Sequence, residues 1–219
     1  MQRKFIKNLL LFIFGILTIN FTFHKLDSNK PSTKVYKGYV VKESGDTLYG
    51  KLQMLNPTMN QVKVKFIDDK GKRMIFKAKD VKSYAFKAQV WNKKEKRNVQ
   101  EWVYYIKKTV ERPPVPFAGN DILMQREVNG NISMYNYYVE TRSSQNMEHI
   151  IYLEKKDILY TINKTNYRKI LKNLMGDYPI VYHKVGTKGY TYKSLTKILK
   201  EYNQQTSKQG DNMITVEMD

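Results

Sequence analysis

The chain has 219 residues, and 41% of them are hydrophobic, which is enough for a folded core of one domain, or of one domain with a small appendage. It contains no cysteine, so disulfides, thiolate nucleophiles, cysteine zinc sites and a lipid-modified N-terminal cysteine are all excluded. The formal net charge of +19, of which +15 lies beyond residue 33, predicts attraction to polyanions, although lysines spread along the chain also suit simple solubility.

The N-terminal segment has the pattern of an export signal. Residues 1–8 carry three cations and no acid, and residues 9–23 are almost wholly apolar. This order is that of a signal peptide, and the apolar run is shorter than the roughly 20 residues of a membrane-spanning helix. No Ala-x-Ala-like pair follows, so an uncleaved membrane anchor stays open, as does a buried helix of the domain. We expect an exported protein of the periplasm or cell envelope, with residues 1–24 a signal peptide in preference to an anchor, and not a lipoprotein.

Residues 25–33 read as a linker, and after them the hydrophobic period changes to two. Alternating stretches bounded by turn residues predict strands at 35–41, 47–55, 62–66, 74–78, 83–91, 99–110, 122–128, 132–140, 150–153 and 158–162. Asn129-Gly130 predicts a hairpin with a type I′ turn. One face of the third and fourth strands is apolar and the other is cationic, as in an antiparallel sheet with one wet side.

The hydrophobic period becomes helical near the C-terminus. Tyr167, Ile170, Leu171, Leu174 and Met175 form one apolar stripe, and a second helix with its own stripe follows Gly189. We therefore expect a mainly β (α+β) fold: an antiparallel sheet or barrel-like β domain at 34–162, and a two-helix element at 163–203 packed on it. The export helix precedes this domain, and residues 204–219 form a polar tail.

Three short motifs carry a resemblance to known proteins. The stretches 38–41, GYVV, and 45–52, GDTLYGKL, resemble the opening of exported β-rich proteins of unknown function from Bacteroidota-type bacteria, and 79–84, KDVKSY, resembles their next element. The pair of C-terminal helices is also similar. The resemblance would cover roughly residues 36–203. It implies an envelope location and a β-rich fold, and it brings no catalytic residue.

The sequence shows no established catalytic motif. It has three histidines, without metal-ligand spacing, and no nucleophile elbow, P-loop or dinucleotide fingerprint, so we predict no metal site and no cofactor. Glu101 and Glu140 each flank alternating aromatic residues, and two carboxylates beside aromatic rings could line a sugar cleft. With His149 they are the candidates for a dispersed hydrolase site. The alternative for all three is an ordinary solvated strand position.

The sequence leaves three functions from different classes open, and an enzyme is less favoured than a non-catalytic protein. The first is a non-catalytic binding or structural module of the cell envelope with a basic surface. Its candidate ligand-binding residues are Lys63, Lys65, Lys77, Trp102 and Tyr104, and its candidate partners are an anionic lipid surface, an acidic glycan or an envelope protein. The second is an envelope hydrolase, and the third is an assembly factor that docks a partner through its C-terminal helices. Export argues against nucleic acid, and the sequence does not predict an oligomeric state.

Overall fold

The computed structural model describes residues 34–92, 95–111, 119–139 and 148–216. All of them fall in one compact unit, Lys34–Asp219. The predicted export segment at 1–24, the linker at 25–33 and the candidate Glu140 lie outside the described residues.

The described residues form a ten-stranded antiparallel sheet, which confirms the prediction of a mainly β protein. Its strands are β1 (Val35–Lys42), β2 (Thr47–Gln53), β3 (Lys63–Ile67), β4 (Arg73–Lys77), β5 (Val81–Asn92), β6 (Arg97–Thr109), β7 (Asp121–Val128), β8 (Ser133–Val139), β9 (Glu148–Lys155) and β10 (Ile158–Ile162). Their order is β10-β9-β8-β7-β6-β5-β1-β2-β3-β4, so the sheet is open, with β4 and β10 at its edges. Each strand matches one predicted from the alternation, within a few residues at its ends.

Two glycines explain how β1 and β2 accommodate large side chains on their inner face. Gly38 lies opposite Gly50 in the β1–β2 register. A Cβ atom at Gly50 would lie 2.7 Å from Cζ of Phe66, and one at Gly38 would lie 2.4 Å from Cδ1 of Leu52. Because neither position has a side chain, Leu52 and Phe66 reach a core in which both are almost completely buried.

The described residues include four α-helices, α1 (Pro57–Asn60), α2 (Tyr167–Leu174), α3 (Pro179–Tyr182) and α4 (Leu195–Val216). The predicted stripes of α2 and α4 are confirmed as core, because Leu171, Leu174, Ile198 and Tyr202 are buried. The short helices α1 and α3 had not been predicted. Helix α4 also continues to Val216, beyond the predicted end at residue 203.

The turn between β7 and β8 differs from the prediction. A type I′ turn needs positive φ at both central residues, whereas only Gly130 of the Asn129-Gly130 pair has a positive φ, of 149°. The side chain of Asn203 holds this loop instead, by accepting from N of Ile132 at 2.9 Å and donating to O of Ile132 at 2.9 Å. A contact with α4, remote in sequence, therefore sets the turn conformation.

The segment after α1 connects β3 to the far part of the sheet. The N–H of Leu123 in β7 donates to the carbonyl oxygen of Gln61 at 2.9 Å. The Gln61 side chain donates to the carbonyl oxygen of Tyr138 in β8 at 2.9 Å and accepts from the N–H of Tyr138 at 2.5 Å. Gln61 is buried, and its amide satisfies backbone groups that would otherwise lack partners at this point.

Candidate functional site: an aromatic and cationic sheet face

The strand register aligns one line of residues across five strands. Tyr49 of β2 lies opposite Tyr39 of β1, and Tyr39 lies opposite Ala85 of β5. Ala85 lies opposite Tyr104 of β6, and Tyr104 lies opposite Arg126 of β7. Residues directly opposite one another in antiparallel strands share a face, so this line runs perpendicular to the strands on one side of the sheet.

Trp102 makes the aromatic side chains of this line continuous. The ring centroids of Tyr49 and Tyr39 are 5.9 Å apart, those of Tyr39 and Trp102 are 5.6 Å apart, and those of Trp102 and Tyr104 are 6.3 Å apart. Ala85 lies between Tyr39 and Tyr104 in the register and is fully buried. Its methyl group leaves room for Trp102 to reach Tyr39 across β5. We call Tyr49, Tyr39, Trp102 and Tyr104 the aromatic row.

The aromatic row is open to solvent. Tyr49 is 71% exposed and Trp102 is 41% exposed, although both are among the side chains that gain most from burial. Tyr39 and Tyr104 are half-buried by their neighbours. Burial, followed by the proximity of Tyr104, raises the pKa of Tyr39. A continuous exposed aromatic surface is typical of an interaction site.

A second line of residues, the cationic row, lies beside the aromatic row on the same face. It consists of Lys87, Lys37, Lys51 and Arg73. Lys37 lies opposite Lys51, and Ile67 lies opposite both Lys51 and Arg73. Continuing the register beyond the Gly38–Phe86 pair places Lys37 opposite Lys87, and Lys87 lies opposite Trp102.

The electrostatics of this face are unbalanced. All four side chains of the cationic row are exposed, and none forms an ion pair with a described residue. Like charges directly opposite one another, such as Lys37 and Lys51, destabilise a sheet. The cations also approach the rings: Nζ of Lys87 lies 5.4 Å from the Trp102 centroid, and Cζ of Arg126 lies 4.9 Å from that of Tyr104. The face therefore presents aromatic rings and unpaired positive charge together, a combination suited to a ligand with both apolar and acidic parts.

The five binding residues predicted from sequence lie on this face in two separate groups. Trp102 and Tyr104 belong to the aromatic row. Lys63 lies directly opposite Lys77, and Lys65 lies opposite Gln53 of β2. The Lys63–Lys77 pair is six residues along the strands from Tyr49, roughly 20 Å away at the usual rise per residue. These two lysines and Lys79 border a recess of about 520 Å³ next to Asp121.

Of the three hydrolase candidates, the two that the structure describes, Glu101 and His149, are not brought together. Glu101 lies opposite Ala88 in β6, so it points to the other face of the sheet from Trp102 and is exposed. His149 is exposed at the start of β9, with its ring 6.1 Å from that of Tyr138. The strands β7 and β8 lie between them, and their positions are six residue steps apart along the strands, roughly 20 Å. His149 borders a recess of about 330 Å³ with Glu127, which the sequence analysis had not selected.

The sequence analysis missed most of the residues that build this face, namely Lys37, Tyr39, Tyr49, Lys51, Arg73, Lys87 and Arg126. Period-two alternation in β1 places Lys37 and Tyr39 on one face, and in β2 it does the same for Tyr49 and Lys51. That signal is present in the sequence. The pairing of β1 with β5, which joins these residues to Trp102, is not.

Among the described residues, no group of three or more histidine and acidic side chains could hold a metal ion. None of the helices in the described ranges has the length and apolar character needed to cross a membrane. In comparisons with known proteins, the chain matches no protein-family model, no curated protein and no solved structure.

Proposed function

We propose that this chain is an exported protein of the cell envelope that binds an acidic saccharide and catalyses no reaction. The observation that carries the proposal is the position of the aromatic row directly beside the cationic row on one exposed sheet face. Export is inferred from the cationic and apolar leader, residues 1–23.

The aromatic row suits the apolar ring face of a sugar acid, and the cationic row suits its acidic group. The apolar face of a sugar ring packs on an aromatic ring, and the hydroxyl groups of tyrosine can bond to sugar hydroxyls. Lysine and arginine side chains without an ion-pair partner can bond to carboxylate or sulfate groups. In the cationic row they also gain a counter-charge that no described residue supplies, so binding would relieve the repulsion between Lys37 and Lys51.

The alternative functions have less support from the geometry. A hydrolase needs two groups within reach of one bond, and Glu101 and His149 lie roughly 20 Å apart by strand geometry. An assembly factor that docks through its C-terminal helices needs an apolar helix stripe free for a partner. The stripe residues Leu171, Leu195, Ile198 and Leu199 are instead buried in the domain core.

The proposal is tested by calorimetric titration of the full chain with hyaluronan, a neutral β-1,4-linked glucan and phosphatidylglycerol vesicles. We expect binding to hyaluronan that weakens with salt, and no binding to the neutral glucan. Trp102→Ala should weaken binding about tenfold, the lower part of the range for stacking on one aromatic ring. Trp91→Ala is the matched control, because Trp91 is 58% exposed in β5 and lies outside both rows.

Two results would contradict the proposal. Binding to vesicles without binding to any acidic saccharide would identify a lipid-binding surface instead. Equal affinities of Trp102→Ala, Trp91→Ala and the unaltered chain for hyaluronan would place the saccharide site elsewhere on the protein.

A further inference from the structure

We propose that the ligand is a linear acidic polysaccharide that crosses the strands at right angles and directs its acidic groups to one edge of the site. At least four consecutive sugar units would lie on the aromatic row. This inference rests on the proposed saccharide function and specifies the class and orientation of the ligand.

The orientation follows from the aromatic row. Its rings lie on β2, β1 and β6, and beyond Arg126 of β7 the same register line continues to Tyr135 of β8, which is buried. The path from Tyr49 to Arg126 crosses four strand spacings, about 19 Å in total. Along the strands, by contrast, the outward positions between Trp102 and Trp91 are held by Gln89, Gln100 and Asn98, which offer no ring.

The number of sugar units that the site holds follows from the distances between the rings of the aromatic row. The ring centroids of Tyr49, Tyr39 and Trp102 are 5.9 and 5.6 Å apart, slightly more than the strand spacing of about 4.8 Å, whereas Trp102 and Tyr104 are neighbours along β6. A pyranose unit in an extended chain is of similar length. Successive sugars can therefore meet Tyr49, Tyr39 and the Trp102–Tyr104 pair in turn, and the path of about 19 Å from Tyr49 to Arg126 accommodates about four units.

The direction of the acidic groups follows from the difference between the two sides of the aromatic row. On one side lies the cationic row. On the other side the register aligns Thr47, Val41, Ser83, Ile106 and Met124, none of which is charged. Carboxylates on that side would lie beside three apolar side chains and the hydroxyls of Thr47 and Ser83, with no cation of this line to pair with, which is less favourable than the cationic side.

The difference between the two sides of the aromatic row favours one order of acidic and neutral sugars along the polysaccharide. In an extended chain with a twofold ribbon shape, successive sugars are turned over, so a substituent at one ring position alternates between the two edges. An acid on every second sugar therefore places all charges on one edge. The site suits a chain in which acidic and neutral sugars alternate better than a chain with an acid on every unit.

The orientation is tested with β-1,4-linked oligosaccharides of increasing length, in which glucuronate alternates with glucose. Affinity should rise from the disaccharide to the tetrasaccharide and change little beyond the hexasaccharide. Tyr49→Ala should weaken binding of the hexasaccharide about tenfold and leave the disaccharide unchanged, because only the longer ligand reaches β2. Trp91→Ala should change neither. A loss with Trp91→Ala and none with Tyr49→Ala would overturn the inference, because the ligand would then run along β5 and β6.

The placement of the acidic groups on one edge of the site is tested by moving one positive charge from one side of Tyr49 to the other. Lys51 and Thr47 are both exposed and flank Tyr49 on the same face of β2. The double variant Lys51→Thr with Thr47→Lys keeps the net charge, so long-range attraction is unchanged. It should bind the hexasaccharide several-fold more weakly than the unaltered chain does. Equal affinity would overturn the one-edge arrangement, as would tighter binding of a β-1,4-linked glucuronate hexamer with an acid on every unit.

The two proposals fail in different ways. If no acidic oligosaccharide binds, or if Trp102→Ala has no effect on binding, the saccharide function itself is refuted. If Trp102→Ala weakens binding while Tyr49→Ala and the charge exchange do not, the saccharide function stands and the crossing, one-edged ligand is refuted.

Discussion

The side chain of Lys155 joins the sheet to the helices, and its removal gives a quantitative test of the fold. Its ammonium group donates to the carbonyl oxygen of Leu174 at 2.5 Å, to Oδ2 of Asp177 at 2.7 Å and to the Tyr202 hydroxyl at 3.0 Å. One charge on β9 therefore binds the C-terminal end of α2, the segment after it and helix α4. Cations at the C-terminal end of a helix also interact favourably with its dipole.

Lys155→Met keeps most of the aliphatic packing and removes the charge. The lost hydrogen bond to the Leu174 carbonyl is worth about 1.5 kcal/mol or more, because its donor is charged. The Asp177 side chain is 57% exposed, so its ion pair adds less than about 1 kcal/mol. We expect a loss of about 2 kcal/mol in the free energy of unfolding, which lowers the melting temperature by about 4–8 °C for a domain of this size.

The assay is thermal and urea unfolding followed by circular dichroism. Lys172→Met is the matched control, because Lys172 is an exposed lysine of α2 that forms no ion pair with a described residue. It should change the unfolding free energy by less than about 0.5 kcal/mol. Equal stabilities of Lys155→Met and Lys172→Met would refute the idea that Lys155 holds the helices to the sheet.

Three further results are expected. The pKa of Asp177 is lowered because hydrogen bonds from Lys155 and Tyr202 outweigh the effect of its burial. The pKa of Glu201 is lowered by hydrogen bonds from Lys184 and Tyr190. Both carboxylates therefore stabilise the fold at pH values above their unfolded pKa values. Helical circular dichroism should thus weaken as the pH falls below about 4, and a fully retained signal at pH 2 would contradict this. Asn203→Ala should lower stability by about 1–2 kcal/mol in urea unfolding through loss of its bonds to the β7–β8 loop, and unchanged stability would show that the loop holds itself. N-terminal sequencing of the envelope fraction should find a mature chain that begins between residues 21 and 33, whereas an intact N-terminus in membranes would identify an uncleaved anchor.

Much of the sheet could be predicted because each strand carries its own signal. In β3 and β4, alternation separates Val64 and Phe66, which are buried, from Lys63 and Lys77, which point outward. Local patterns of this kind need no knowledge of neighbouring strands. The same holds for the stripe of α2, where Leu171 and Leu174 lie one turn apart.

The parts that could not be predicted depend on contacts between distant residues. The side-chain amide of Gln61 binds backbone groups of Tyr138 in β8, 77 positions away, and no local pattern indicates this. The Asn129-Gly130 pair is a strong local turn signal, but Asn203 of α4 fixes a different loop. In the second case the tertiary hydrogen bonds of Asn203 prevail over the local turn preference.

The candidate site was found only in part, for a reason that also separates the two leading functions. Glu101 was selected as a hydrolase candidate because it flanks the alternating aromatic residues that begin with Trp102. Adjacent residues of a strand point to opposite faces. Glu101 therefore lies on the opposite face of the sheet from Trp102 and Tyr104, the rings that it flanks in the sequence. The outward partners of Trp102 are two residues away along β6 or directly across on β5, where Tyr104 and Lys87 lie. Within β6, a carboxylate on this face would have to occupy an even-numbered position. Those positions from 98 to 108 are held by Asn, Gln, Trp, Tyr, Ile and Lys, so β6 presents rings and positive charge on this face and no acid.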